Sequence, residues 1–316
     1  MLVNIALVQQ ATFHSEFSAL RSPGQSLTAY VDSELSRRVE HVLNKMKVAA
    51  ETANRGHSKS ECLYFVLPEF FWNVPWSVVA NPQELLALND IYFKRVSECV
   101  SALLENLPPE VYGHVVLLAG TCATVVEVDN ATRTEGEVIN YLLAGSNEKK
   151  NAEGKPALLM WPKRHVSQID FGRNEESGPD HWVFKLSDGV RVKVKKKSST
   201  LAESNSAAGY KKYFFNSIVP GGPFGINLCL DYAVVSEVER VNEFSDWNPK
   251  MDFLVACGME FDRAKRYLDS VQFAFRNDGM GKGGCEAMSV LNGYLDKPLP
   301  TEVIDNDIHL VQVNIK

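Results

Sequence analysis

Short, nearly continuous apolar runs alternate along the chain with longer stretches of helical periodicity. "LVNIALVQQ" is apolar and bounded by polar residues, which predicts a buried strand. From Ser33 to about Ala53, Leu35, Val39, Val42, Leu43 and Met46 fall at helical spacing, with Ser33 as the cap. "CLYFVLPEFFW" reads as a second buried strand running into Pro68 and Glu69. A long helix is predicted from about Pro82 to Leu107, stopped by Pro108 and Pro109.

The next strand signals are "GHVVLLAGTCATVVEV", interrupted near Gly120, "VINYLLAGS" and "KPALLMWPKRHV". "GRNEESGPD" and "SSTLAESNSAAG" read as loops. Between them, "HWVFKLSDGVRVKVK" predicts a hairpin turning at Asp188-Gly189. "FGINL", running into Cys229, and "MDFLVACGM" are further buried strands. Ala264, Leu268, Val271 and Phe275 suggest a helix after them. A glycine-rich loop then leads to a strand, and "DIHLVQVNIK" closes the chain. Strands alternating with helices throughout, with no repeat or linker, predict one domain of mixed sheets covered by helices over residues 1–316.

Bulk properties narrow the classes. With 316 residues, 45% of them hydrophobic, the chain can bury a large core. A formal net charge of −6 disfavours nucleic-acid binding, and the basic run Arg191 to Lys197 is short and local. No apolar run reaches the roughly 18–20 residues that span a bilayer, so no membrane association is expected. The N-terminus lacks the basic, long apolar pattern of a signal peptide. Six scattered cysteines without a C-x-x-C suggest neither a disulfide framework nor a metal site, and a cytoplasmic home is expected.

Three apolar strands each end in one chemically capable residue. Glu69 follows "YFVLP", Lys163 follows "LLMWP" and Cys229 follows "FGINL". Alone, each has an ordinary explanation: a solvated loop acid, a surface cation, a small core thiol. Together they suit one chemistry. Strand ends in a helix-covered sheet converge on one crevice. A thiol attacks only after losing its proton, and a carboxylate among Phe65, Phe70, Phe71 and Trp72 can take it. A lysine and the Leu230 N–H can then stabilise the oxygen of a tetrahedral intermediate.

"LPEFFW", "WPKRHVS" and "FGINLCLDY", in that order, resemble the three motifs of the carbon–nitrogen hydrolase (nitrilase) superfamily. Lys163-Arg164-His165 fits the family's lysine motif. The resemblance implies an α+β fold, a four-layer α-β-β-α sandwich, assembled as a homodimer or larger oligomer. It implies Glu69 as base, Lys163 as oxyanion stabiliser and Cys229 as nucleophile, acting without a metal or cofactor. A second glutamate is expected between the lysine and the cysteine. Glu203 has the better spacing to Cys229 and Glu176 to Lys163, and Glu203 is preferred. An insertion around residues 172–205, containing the hairpin, separates Lys163 from Cys229.

The expected activity is hydrolysis of a non-peptide C–N bond in a small amide or N-carbamoyl compound through a thioester. A nitrilase releasing ammonia from a nitrile is the alternative within that chemistry. A catalytically inactive family member that binds a ligand or partner is the alternative outside it. Other features carry less. His165 lacks the Asn or Asp context of a papain-like base. "GMGKGG" lacks the phosphate-loop pattern and reads as a rim loop. Trp72, Trp76 and Trp161 line either a pocket or the core. Asp231 is either a turn residue or a device that positions the loop beside the cysteine.

Overall fold

The computed structural model describes residues 1–13, 17–55, 60–127, 135–197, 223–234 and 248–316. The first half contains β1 (Leu2–Val8), α1 (Leu27–Arg55), β2 (Cys62–Val66), α2 (Pro82–Glu105), α3 (Pro109–Tyr112), β3 (Val115–Glu127) and β4 (Glu135–Lys150). Then come β5 (Pro156–Pro162), β6 (Arg173–Ser177), β7 (His181–Ser187), β8 (Val190–Lys195), β9 (Phe224–Leu228) and a short α4 (Leu230–Val234). The chain finishes with β10 (Met251–Ala256), β11 (Phe273–Asp278), β12 (Gly284–Leu291), β13 (Tyr294–Pro298), β14 (Glu302–Ile304) and β15 (Ile308–Asn314).

These strands form two mixed sheets. The larger has the order β14-β15-β1-β2-β3-β4-β8-β7-β6, with β5 also paired to β4, and the smaller has the order β13-β12-β11-β10-β9. Side-chain alternation explains their stacking. Val3, Ile5 and Leu7 of β1 and Tyr64 and Val66 of β2 point towards the smaller sheet, where they meet Phe224, Ile226, Phe253 and Phe275. Ala6, Val8, Leu63 and Phe65 point the other way, onto Val31, Leu35, Val42 and Met46 of α1 and Val96 and Val100 of α2. Both faces of the central strands are therefore buried, which is why their sequences read as continuous apolar runs. The outer face of the smaller sheet packs Leu254, Ala256 and Ala274 against Tyr232 of α4 and Tyr267 and Val271. The molecule is the expected α+β sandwich of two mixed sheets.

Several elements differ from their sequence patterns. Helix α1 starts at Leu27 rather than Ser33. The Ser26 hydroxyl accepts from the Ala29 N–H at 3.2 Å and caps it. Leu27, Tyr30 and Val31 carry the buried face back past Ser33. The helix suggested by Ala264 to Phe275 is absent. The Tyr267 N–H donates to the Gly293 carbonyl at 2.7 Å instead of closing a helical turn. Ala274 and Phe275 belong to β11 and face opposite layers. "GRNEESGPD" holds β6, an exposed edge strand whose polar residues hide it from pattern reading. Among the described residues, regular alternation of strand and helix holds only in the first half of the chain. The hairpin turning at Asp188-Gly189 is present as β7 and β8. Its second arm joins the larger sheet beside β4 through Glu135 and Gly136, opposite Lys193 and Val194. No helix among the described residues is long and apolar enough to cross a membrane.

Candidate active site

The strands set the site's position. β2 runs parallel to β3, while β4 is antiparallel to β3 and β5 antiparallel to β4. β2 and β5 therefore point the same way, and Glu69 and Lys163 emerge at the same end of the sheet. β9, which leads to Cys229, belongs to the other sheet. The end of β10 joins the two. The Cys229 N–H donates to the Val255 carbonyl at 3.0 Å, and the Glu69 N–H to the Ala256 carbonyl at 3.4 Å.

Each side chain is held by a built turn. After Glu69 the chain bends through Phe70, whose φ of 59° is rare for a bulky residue. The Phe70 N–H donates to the Thr121 hydroxyl at 2.9 Å. Asn73 exchanges two hydrogen bonds with Ala123, at 2.7 and 2.8 Å. Gly120 lies at an irregularity in the β3–β4 register, with φ of 67°. A Cβ there would lie 2.4 Å from the Pro68 carbonyl, so only glycine lets the Glu69 turn sit this close to β3. The Glu69 carbonyl accepts from the Thr12 hydroxyl at 2.5 Å.

Cys229 has φ of 45°, between the end of β9 and the start of α4. Such a conformation in a non-glycine residue costs about 1–3 kcal/mol and is characteristic of functional positions. The thiol donates to the Cys257 carbonyl at 3.5 Å. Two residues on, Asp231 accepts the backbone N–H groups of Arg164 and His165 at 2.8 and 2.9 Å and meets His165 Nδ1 at 2.8 Å. Asp231 thus ties the segment after Cys229 to the segment after Lys163.

The Lys163 ammonium is completely enclosed. It lies 2.9 Å from Glu69 Oε1 and 2.9 and 2.8 Å from the two oxygens of Asp170. Asn140 Nδ2 donates to the same Glu69 Oε1 at 2.8 Å, and the Asn140 carbonyl accepts the Lys163 N–H at 2.7 Å. Glu69 Oε2 is buried without a hydrogen bond of standard geometry among the described residues. Burial pushes the Glu69 carboxyl up to about 7; Lys163 pulls it down, Asp170 pushes it up and hydrogen bonding to Cys229 pulls it down. Burial acts to lower the Lys163 pKa, but Asp170, Glu69 and Cys229 together hold it well above its ordinary value. Burial, then the Glu69 charge, pushes the Cys229 thiol far up against the opposing pull of Lys163. The resting arrangement is a neutral thiol beside a permanent cation and a carboxylate that titrates near neutrality.

The structure brings together Glu69, Lys163 and Cys229. Glu203 lies outside the described residues. Glu176 is exposed on edge strand β6, opposite Val183, away from the enclosed Lys163 ammonium. The second acid that meets the lysine is Asp170, which sequence reasoning missed. Its signal is the Ser-x-x-Asp of "HVSQID". The Ser167 N–H and hydroxyl both donate to the Asp170 carboxylate, at 3.0 and 2.7 Å. Asn140 was also missed, a lone polar residue inside the apolar "VINYLLAG" and buried in the structure. Trp72 and Trp161 are core residues, whereas Trp76 lines a cavity beside the site.

No family model matches the chain, and no curated protein matches it. Among solved structures it is similar to the crystal structure of a carbon-nitrogen hydrolase from Helicobacter pylori G27. The TM-score is 0.41 at 11% sequence identity, covering 98% of this chain and 88% of that one.

Proposed function

We propose that the chain is a cysteine-dependent hydrolase of the carbon–nitrogen hydrolase type, acting on a non-peptide C–N bond in a small amide or N-carbamoyl compound. The observation that carries this reading is the buried cluster of Glu69, Lys163 and Cys229, drawn from three strand ends and two sheets. Glu69 takes the thiol proton as Cys229 Sγ attacks the carbonyl carbon. The carbonyl oxygen gains negative charge and is stabilised by the Lys163 ammonium together with the Leu230 N–H. Protonated Glu69 gives its proton to the leaving nitrogen, the C–N bond breaks, and ammonia or an amine departs. The acyl group remains on Cys229 as a thioester. Glu69 next takes a proton from water as the water oxygen attacks the thioester carbon. Collapse releases the carboxylic acid, or a carbamic acid from a carbamoyl substrate, and the thiolate recovers its proton from Glu69.

Asp170 holds Lys163 charged and in place through the whole cycle. A carboxylate near pH 7 suits both of Glu69's roles, because the same group has to take and return a proton. The test is release of ammonia from a panel of small amides and carbamoyl amino acids, read beside intact mass. Turnover, or an acyl adduct, that disappears in Cys229→Ala supports the reading. No turnover, no adduct and no preferential alkylation of Cys229 by iodoacetamide would leave a binding module in its place.

A further inference from the structure

A cavity of about 570 Å³ adjoins the cluster. That is ample for a small ligand, since such sites span roughly 300–1,000 Å³. Phe70, the residue after Glu69, and Asp170, which holds the Lys163 ammonium, both line it. Arg173 of β6, Lys185 of β7 and Asp188 at the hairpin turn line it as well. Arg173 and Lys185 are direct partners in the β6–β7 register. Like charges placed opposite each other repel, so the pair is disfavoured unless an anion joins it.

The local carboxylates do not satisfy both cations. Lys185 Nζ meets Asp188 at 2.8 Å, but that carboxylate is fully exposed. Glu175 is taken by Arg191 at 2.8 Å, and Asp170 is committed to Lys163 and Ser167. Arg173 has no ion-pair partner among the described residues, and its guanidinium fork fits a carboxylate in two-point contact.

We propose that this cavity is a subsite for a carboxylate on the substrate, with Arg173 as the principal binding group and Lys185 as the second cation. The substrate would then be a small amide with its scissile C–N bond at one end and a carboxylate at the other. This rests on the hydrolase reading of the neighbouring cluster.

The experiment measures alkylation of Cys229 by iodoacetamide, followed by intact mass and peptide mapping, at fixed ionic strength. Succinamate and its neutral counterpart butyramide are titrated in as protectants, with wild type and with Arg173→Glu, a change on an exposed strand. The expected result is saturable protection by succinamate at about tenfold lower concentration than butyramide, the worth of one charge-assisted contact. In Arg173→Glu that difference disappears. Equal protection by the two amides, no protection by either, or a difference that survives Arg173→Glu would overturn the carboxylate subsite while leaving the hydrolase reading intact. Failure of iodoacetamide to modify Cys229, with no turnover of succinamate or butyramide and no acyl adduct in the same samples, would remove the hydrolase reading, and the subsite with it.

Discussion

Lys163 is shared between two carboxylates, and this decides how the cluster responds to pH. In the proposed mechanism Glu69 must be ionised to accept the thiol proton, and burial raises its pKa to about 7. The ratio kcat/KM is therefore expected to fall as pH drops below about 7, with one proton taken up, as read from a pH–rate profile. Asp170 contributes to that raised value through its negative charge. Asp170→Asn should move the acid limb to lower pH, because removing a nearby anion eases ionisation of Glu69. The same change loosens Lys163 and should lower kcat by about a hundredfold or more. An acid limb that stays in place would mean that Asp170 does not act on the base. Neither Asp170 nor Asn140 stands out in the sequence as a strand-end residue. Asn140 joins the cluster through a bond made across the fold, and Asp170 through the turn that brings it back onto Lys163 seven residues earlier.

At the scale of elements, the site depends on turns more than on strands. The Gly120 irregularity in β3 leaves room for the Pro68–Glu69 turn. Gly120→Ala combines a strained φ with a Cβ 2.4 Å from the Pro68 carbonyl. It should cost roughly 2–4 kcal/mol in urea denaturation and displace Glu69. Asp231 fastens the Lys163 segment through two backbone N–H groups and His165. Asp231→Ala leaves these donors unpaired and should cost about 1–3 kcal/mol, with a larger fall in kcat than in stability. The strands that hold these turns were legible because both of their faces are buried. Edge strand β6 was not, because an exposed edge carries no apolar signature. The 264–275 segment misled because apolar residues at helical spacing also fit a turn followed by a strand between two layers.

At the scale of the whole molecule, the cluster straddles an interface. Glu69 and Lys163 belong to the larger sheet and Cys229 to the smaller, so their geometry depends on inter-sheet packing. Phe253 sits in that packing, with its ring centroid 5.7 Å from Tyr64, 5.6 Å from Phe224 and 5.2 Å from Phe275. Phe253→Ala should cost about 3–5 kcal/mol and slow alkylation of Cys229 even in molecules that remain folded. Thermal denaturation and alkylation kinetics measured together check this. Stability lost with no change at Cys229 would mean that each sheet holds its part of the site independently.

The buried strands, the two long helices, the hairpin and the choice of Glu69, Lys163 and Cys229 as residues to watch were legible along the chain. Those features are local: apolar runs, helical spacing, turn residues and a single polar side chain at a strand's end are written in consecutive positions. Only the folded chain shows that Asp170 is the acid meeting Lys163, that Asn140 holds the Glu69 carboxylate and that Asp231 ties down the segment after Lys163. It also shows that Arg173 and Lys185 face one cavity. These pairings join residues from different strands and turns, and their energies depend on burial and distance. Neither quantity exists until the sheets have stacked.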